Sequence, residues 1–233
     1  MKGGDEDEGA RVTETILDCE AVLFDMDGTL VDSRQIVEET WLSWAADHGL
    51  PAEAVLAVAH GRRTLETMRL VAPHLATPEE AARLDNRELE LEGRETAIPG
   101  AAALLADLPA ERWAVVTSAG HDLARTRLAT VGLPAPRVLV GADDVARGKP
   151  APDGYLRAAD ALGVSPARCV VLEDTAVGAA AGRAAGAIVI GLRTTFPTVE
   201  GCDFLVGDLR DVRAVPGGRG AAAIRLFLSL SSR

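Results

Sequence analysis

Between residues 98 and 192 the chain repeats one unit, a helical stretch followed by an apolar run of strand length. "GAAALLADL", "HDLARTRLATVGL", "PDGYLRAADALGV" and "AVGAAAGRAAG" carry helical character. "RWAVVTS", "RVLVG", "RCVVLED" and "AIVIGL" follow them in turn as strands. Near-continuous apolar strands, each reached through a helix, require an α/β fold: a parallel sheet with helices on both faces. An earlier run, "CEAVLFD" at 19–25, reads as the first buried strand.

After that strand the texture is helical. "SRQIVEETWLSWAADHGL" places Ile36, Val37, Trp41 and Trp44 at helical spacing and stops at Gly49 and Pro51. "EAVLAVAH", "TLETMRLVAPHL" and "TPEEAARLDNRELELEGRE" continue the pattern, with Thr77 as N-cap before Pro78. No strand is expected between 33 and 97, so this block reads as an all-helical cap inserted after the first strand. The core then comprises 18–32 and 98–213. Residues 1–17, opening "MKGGDEDEGAR", read as a flexible acidic leader. Residues 214–233, beginning at a flexible joint, form a tail of unassigned structure. The glycines of "GAAAGRAAG" stand four residues apart inside a helix, which suits close packing on the sheet and not a dinucleotide loop.

The 233 residues, 48% hydrophobic and 25% charged, suffice for a sizeable core. A net charge of -11 disfavours nucleic acid and anionic membrane surfaces as partners. No apolar run is long enough to span a bilayer, and the acidic N-terminus is unlike a secretory signal. Cys19, Cys169 and Cys202 lack the spacing of a disulfide framework or zinc knuckle, which suits buried thiols in a reducing cytoplasm. A cytoplasmic protein is expected.

In open parallel sheets, ligands bind outside the carboxyl ends of the strands. There the sequence places Asp25 and Asp27, then Thr117 and Ser118, then Lys149, then Glu173 and Asp174. Carboxylates within about 4 Å repel by roughly 4 kcal/mol per pair at an effective dielectric near 20, so such a cluster needs a cation. All-oxygen ligation with room for water and phosphate favours Mg²⁺ over Zn²⁺. The ion, Lys149, a hydroxyl and backbone N–H groups would neutralise a phosphate dianion. One aspartate can then attack phosphorus while the other protonates the departing oxygen. Their separation of two residues puts both on one side of an extended exit; Gly28 permits the turn and Thr29 offers a hydroxyl to the loop or the phosphate. Lys2 and Lys149 are the only lysines, so lysine chemistry in the folded body falls to Lys149.

"DMDGT", "VVTSAG", "GKPAPDGY" and "VVLEDTAVG" resemble, in order, the four motifs of the haloacid dehalogenase superfamily across residues 19–207. The resemblance implies a Rossmann-like core with a helical cap, as in the β-phosphoglucomutase-like branch. It implies Asp25 as the nucleophile that forms an aspartyl-phosphate, and Asp27 as general acid and then base. Thr117 and Ser118 would bind phosphate and Lys149 would stabilise the reacting centre. Mg²⁺ would be held by Asp25, the Asp27 carbonyl and Asp174, with Glu173 beside it. Family dehalogenases lack an acid at the position of Asp27, and phosphonatases use a cap lysine that is missing here. The related mutases carry a histidine just beyond "VDS", where "RQIVEETW" has none.

The stretch "HGRRT" resembles the cap of glycerol-phosphate phosphatases, and the "VDSRQIVEETWLSWAADHGL" region resembles sugar- and polyol-phosphate phosphatases. His60, Arg62, Arg63 and Thr64 would then meet the leaving group, one arginine pointing into solvent. His48 and His74 are expected to be structural, His121 either to approach the site from just after the second motif or to sit at a helix start on the surface, and Trp41 and Trp44 to pack the cap. The expectation is a phosphatase acting on a small phosphorylated metabolite, a sugar or polyol monophosphate. The alternatives are a phosphosugar mutase and a phosphometabolite-binding protein without turnover.

Overall fold

The computed structural model describes residues 12–217 and 223–231. Strand β1 spans Val12–Cys19, β2 Ala21–Phe24 and β3 Val31–Asp32. Helices α1 Arg34–Asp47, α2 Ala52–Ala59, α3 Thr64–Val71 and α4 Pro78–Glu90 follow. The chain continues through β4 Thr96–Ala97, α5 Ala101–Asp107, β5 Trp113–Val116, α6 His121–Thr130, β6 Leu139–Val140, α7 Asp153–Ala161 and β7 Cys169–Glu173. It ends with α8 Ala176–Ala184, β8 Ile188–Leu192, β9 Phe204–Val206, β10 Val212–Pro216 and β11 Ile224–Ser231.

Six strands form a parallel sheet in the order β6-β5-β2-β7-β8-β9. From β2 the chain winds outward through β5 and β6, then crosses to β7 and winds the other way, so β2 lies at the topological switch point. β2, β5 and β7 are buried along their whole lengths. Alternate residues serve opposite faces: Val22, Phe24, Val115 and Leu172 join one apolar cluster with α5 and α6. Ala21, Leu23, Val116 and Val171 join another under α7 and α8.

Helices α1 to α4 lie between β3 and β4, which pair antiparallel as Val31↔Ala97 and Asp32↔Thr96. This ribbon sets the chain's departure from the sheet beside its return, and it adds a two-residue strand to a stretch read as wholly helical. Trp41, Trp44, Val55, Met68 and Leu84 fill a separate core among these helices. The Trp41 and Trp44 rings meet edge to face at 5.5 Å, and Trp44 Nε1 donates to Glu80 Oε1 at 2.8 Å. Thr77 caps α4 by accepting from the Glu80 N–H at 3.1 Å.

The two ends of the chain depart from the sequence reading. Residues 12–17, read as leader, belong to β1, while residues 1–11 lie outside the described residues. The tail supplies β11, which pairs antiparallel between β1 and β10. Ile224, Leu226 and Leu228 join the first core cluster with Leu230 packed against it, a period-two signal that neither segment satisfies without the other. No helix among the described residues is long and apolar enough to cross a membrane.

Candidate active site

β2 delivers Asp25 to its site with the backbone still tied to the sheet, since the Asp25 N–H donates to Leu172 O at 3.0 Å. The next residues turn tightly: the Met26 carbonyl accepts from the N–H groups of Thr29, Leu30 and Val31 at 3.2, 2.8 and 3.0 Å. Gly28 sits in this turn at φ 79°, and a Cβ there would lie 2.0 Å from Asp174 Oδ2, so the turn presses against the acidic pair after β7.

Lys149, in the loop between β6 and α7, is 6% exposed. Its Nζ donates to Asp25 Oδ1 and, at 2.6 Å, to Glu173 Oε1. The Tyr155 hydroxyl also donates to Glu173 Oε1, at 3.1 Å, and the Lys149 ammonium lies 5.3 Å from the Tyr155 ring centre. Glu173 Oε2 accepts from the Asp174 and Thr175 N–H groups and the Thr175 hydroxyl, each at 3.0 Å. Both oxygens of Glu173 are thus engaged in holding Lys149 and the turn into α8.

Asp25, Glu173 and Asp174 each bring a carboxylate oxygen within 4.8 Å of the others, and all three are buried. Asp174 Oδ1 is enclosed without a hydrogen-bond partner. Burial pushes the Asp25 carboxyl up, Lys149 pulls against it, and Glu173 and Asp27 add to the rise. Burial raises Asp174 as well, reinforced by Glu173 and Asp25. Burial also works against the Lys149 ammonium, but Asp25 and Glu173 more than reverse this and leave it well above its ordinary value. Crowded oxygen donors, short of positive charge and including one orphaned atom, fit a hard divalent cation.

The Asp27 carboxylate is not part of this trio. Its Oδ1 accepts from Ser33 Oγ at 2.7 Å and from the Arg127 guanidinium at 2.5 Å. Thr117 is buried at the end of β5 and its Oγ1 accepts from the Ala119 N–H at 3.0 Å, which shapes the loop beneath the site. Ser118 Oγ donates to the Gly61 carbonyl at 2.9 Å, joining the sheet to the loop between α2 and α3. Thr29 is set apart: it is fully buried, its hydroxyl has no partner, and it does not line the cavity.

A cavity of about 500 Å³ separates α1 to α4 from the strand ends, lined by Asp25, Asp27, Trp41, Asp85, Thr117 and Asp174 among others. His60 borders it, meeting the Phe196 ring edge to face at 5.6 Å, and burial lowers its pKa. Arg62 lines it with a buried, unpartnered Nε. Arg63 does not extend into solvent: it donates to the Val145 and Ala146 carbonyls at 3.0 and 3.4 Å, because the loop closes onto the core. Thr64 Oγ1 donates to Asp85 Oδ1 at 2.5 Å. Trp41 and Trp44 pack the helices, with Trp41 also reaching the cavity wall. His121 lines the cavity, its Nε2 2.6 Å from Asp144 Oδ2.

Tyr155, Ser33, Asp85 and Arg127 were not singled out from sequence. Arg127 carried a readable signal, for it follows Leu123 and Ala124 by one helical turn on the buried face of α6.

A doubly wound parallel sheet with catalytic-type carboxylates and a buried lysine at its switch point defines a Rossmann-like α/β enzyme. The structure is similar to that of a hydrolase from Pseudomonas syringae, with a TM-score of 0.73 and 28% identity over 82% of this chain and 94% of that one. The family model for haloacid dehalogenase-like hydrolases matches residues 19–186, and the chain belongs to that family. It is 41% identical to hexitol phosphatase A of Escherichia coli over 89% of this chain and 99% of the relative. It is 36% identical to glycerol-1-phosphate phosphohydrolase 2 of Saccharomyces cerevisiae over 86% of each.

Proposed function

We propose that this hydrolase is a Mg²⁺-dependent phosphatase that acts on a small sugar or polyol monophosphate through an aspartyl-phosphate on Asp25. The observation that carries the reading is that buried Asp25 and Asp174 open on one cavity beside Asp27, with the Lys149 ammonium bonded to Asp25. The relatives named for hexitol and glycerol phosphates support the substrate class. A volume of about 500 Å³ accommodates a molecule of that size.

Asp25 attacks phosphorus with a carboxylate oxygen, and the bond from phosphorus to the alcohol oxygen breaks. Asp27, which lines the cavity, gives that oxygen its proton. The resulting Asp27 carboxylate then takes a proton from water as the water attacks the aspartyl-phosphate, which restores Asp25 and frees phosphate. Lys149 balances the charge that develops at the phosphoryl oxygens, held for that purpose by Glu173 and Tyr155. Thr117 and Ser118 shape the phosphate end of the cavity. Helices α1 to α4 act as a cap that excludes water, with His60, Arg62 and Thr64 on the leaving-group side. Mg²⁺, bound by Asp25, Asp174 and the Asp27 carbonyl with Glu173 beside it, would supply Lewis-acid charge neutralisation.

Phosphate release from a panel of glycerol, hexose, hexitol and glycolate phosphates tests the reading. Release is expected to disappear on chelation and return with Mg²⁺, and to be absent in Asp25→Asn. Full turnover after thorough chelation, or an active Asp25→Asn protein, would overturn it. Conversion of one sugar phosphate into its isomer without release would favour the mutase instead.

A further inference from the structure

One guanidinium joins the proposed proton donor to the helical insert. Arg127 is 1% exposed and sits on α6, yet all three of its outward edges meet carboxylates. One terminal nitrogen donates to Asp27 Oδ1 at 2.5 Å, the other to Glu88 Oε1 at 2.5 Å, and Nε to Glu92 Oε1 at 3.0 Å. Glu88 lies on α4 and Glu92 just beyond it. Asp85, Glu88 and Leu89, from the same turns of α4, line the substrate cavity.

We infer that Arg127 is a positioning residue for the proton-transfer step: its planar fork fixes the Asp27 carboxyl and couples that position to the cavity-facing end of α4. The inference rests on the phosphatase reading above. Three features carry it. First, Asp27 Oδ1 takes both the Arg127 and Ser33 bonds, so the carboxyl is oriented from one side while the residue still lines the cavity. Second, a guanidinium presents its donors at fixed angles, so a shift of α4 against the sheet is transmitted to Asp27 and not absorbed. Third, buried ion clusters seldom stabilise more than apolar side chains of equal volume, so folding alone gives little reason for one here. Leaving groups seated against α4 would thereby set the acid that protonates them.

The test exploits leaving groups that differ in their need for a proton. Glycerol 1-phosphate departs as an alkoxide unless protonated, whereas p-nitrophenyl phosphate departs as a stable phenolate. Values of kcat/KM for both, at saturating Mg²⁺, are compared for wild type, Arg127→Lys, Arg127→Gln and Glu88→Gln/Glu92→Gln. The Arg127 variants are expected to lose about 10- to 100-fold more on the alkyl than on the aryl ester. Arg127→Lys, which keeps the charge, should lose less than Arg127→Gln. The double glutamine variant, which leaves the Arg127–Asp27 pair in place, should show the same bias at about 3- to 10-fold, and it carries the test if the arginine variants misfold. Equal losses on both esters would overturn the role of Arg127 while leaving the phosphatase reading intact. A wild type inactive on every alkyl phosphate would overturn the phosphatase reading and this inference with it.

Discussion

Glu173→Gln replaces one oxygen by an amide nitrogen at nearly constant volume, in a place where every hydrogen-bond partner is a donor. Oε1 takes the Lys149 ammonium and the Tyr155 hydroxyl; Oε2 takes two backbone N–H groups and the Thr175 hydroxyl. A carboxylate satisfies such a set because it only accepts. Glutamine must turn its NH₂ against one side. The backbone donors of Asp174 and Thr175 cannot move, so the amide nitrogen faces Lys149. Tyr155 can rotate its hydroxyl to accept, but an ammonium cannot. Removing one partner of a buried charge pair costs about 3–5 kcal/mol, and since Lys149 retains Asp25 the expected loss is about 2–4 kcal/mol. Lys149, freed from one anchor, leans on the nucleophile, and a misplacement of that order lowers turnover by about 100-fold. Urea unfolding of the metal-free protein gives the first quantity and phosphate release across a Mg²⁺ titration the second. A stability change within about 0.5 kcal/mol, the range of inert surface changes, with near-normal turnover would refute the reasoning. Restoration by excess Mg²⁺ would make Glu173 chiefly a metal ligand instead of the holder of Lys149.

Gly178→Ala places a Cβ 1.5 Å from Glu173 Oε1, so it should destabilise the fold and suppress phosphate release. A solvent-facing helix position would instead gain about 1 kcal/mol from that change, so the sign of the shift in a thermal melt decides the matter. Hydrogen bonds from Arg83, and next from Trp44 and His48, hold the Glu80 carboxyl down from 4.5 to about 2. Glu80→Leu should therefore cost about 1–3 kcal/mol, towards the low end because Arg83 is solvated. A depressed folded-state pKa stabilises above the unfolded value, so the difference between the two proteins should be full above pH 4.5 and shrink as pH falls towards 2, as acid-dependent denaturation can follow. Asp85→Ala removes a carboxylate acceptor from the leaving-group side of the cavity, and KM for hexitol phosphates should rise about tenfold, more than for p-nitrophenyl phosphate, in initial-rate assays.

The carboxylates and the threonine that were legible in sequence share one property: each stands where an apolar strand run stops. Asp25, Thr117 and Glu173 end β2, β5 and β7, and a buried strand in a parallel sheet must expose its carboxyl end to a crevice at the switch point. Thr77 was legible for a local reason, because a cap bonds within its own turn. What escaped depends on partners far along the chain. β1 and β11 pair Cys19 with Ile224 and Ile16 with Phe227, and each lies at one end of the chain with its partner some two hundred residues away, so neither is placed until the other is present. Tyr155 reads as an ordinary buried ring on α7 until β7 brings Glu173 to its hydroxyl. Thr29 misled for the opposite reason: its hydroxyl was expected to serve the loop or the phosphate, but the turn after Asp27 buries it fully and without a partner. One of Arg62 and Arg63 was expected to reach solvent, because nothing local shows that their loop closes on the core, where Arg63 bonds the Val145 and Ala146 carbonyls and the Arg62 Nε is buried.

The two buried cations divide the site according to their shapes. Lys149, a compact charge on a flexible stem, lies between Asp25 and Glu173, where a single point of positive charge can serve Asp25 and, in the proposed mechanism, the phosphoryl oxygens. Arg127, a rigid fork, lies between Asp27, Glu88 and Glu92, where direction matters more than charge. A lysine in place of Arg127 would fail, since an ammonium cannot hold three carboxylates at fixed angles. Neither cation reaches the orphaned Oδ1 of Asp174, whose carboxyl burial and two neighbouring acids drive upward. Oxygens of Asp25, Glu173 and Asp174 lie within 4.8 Å of one another there, and the ionised forms of so close a set repel. A divalent cation bound by these oxygens would offset that repulsion.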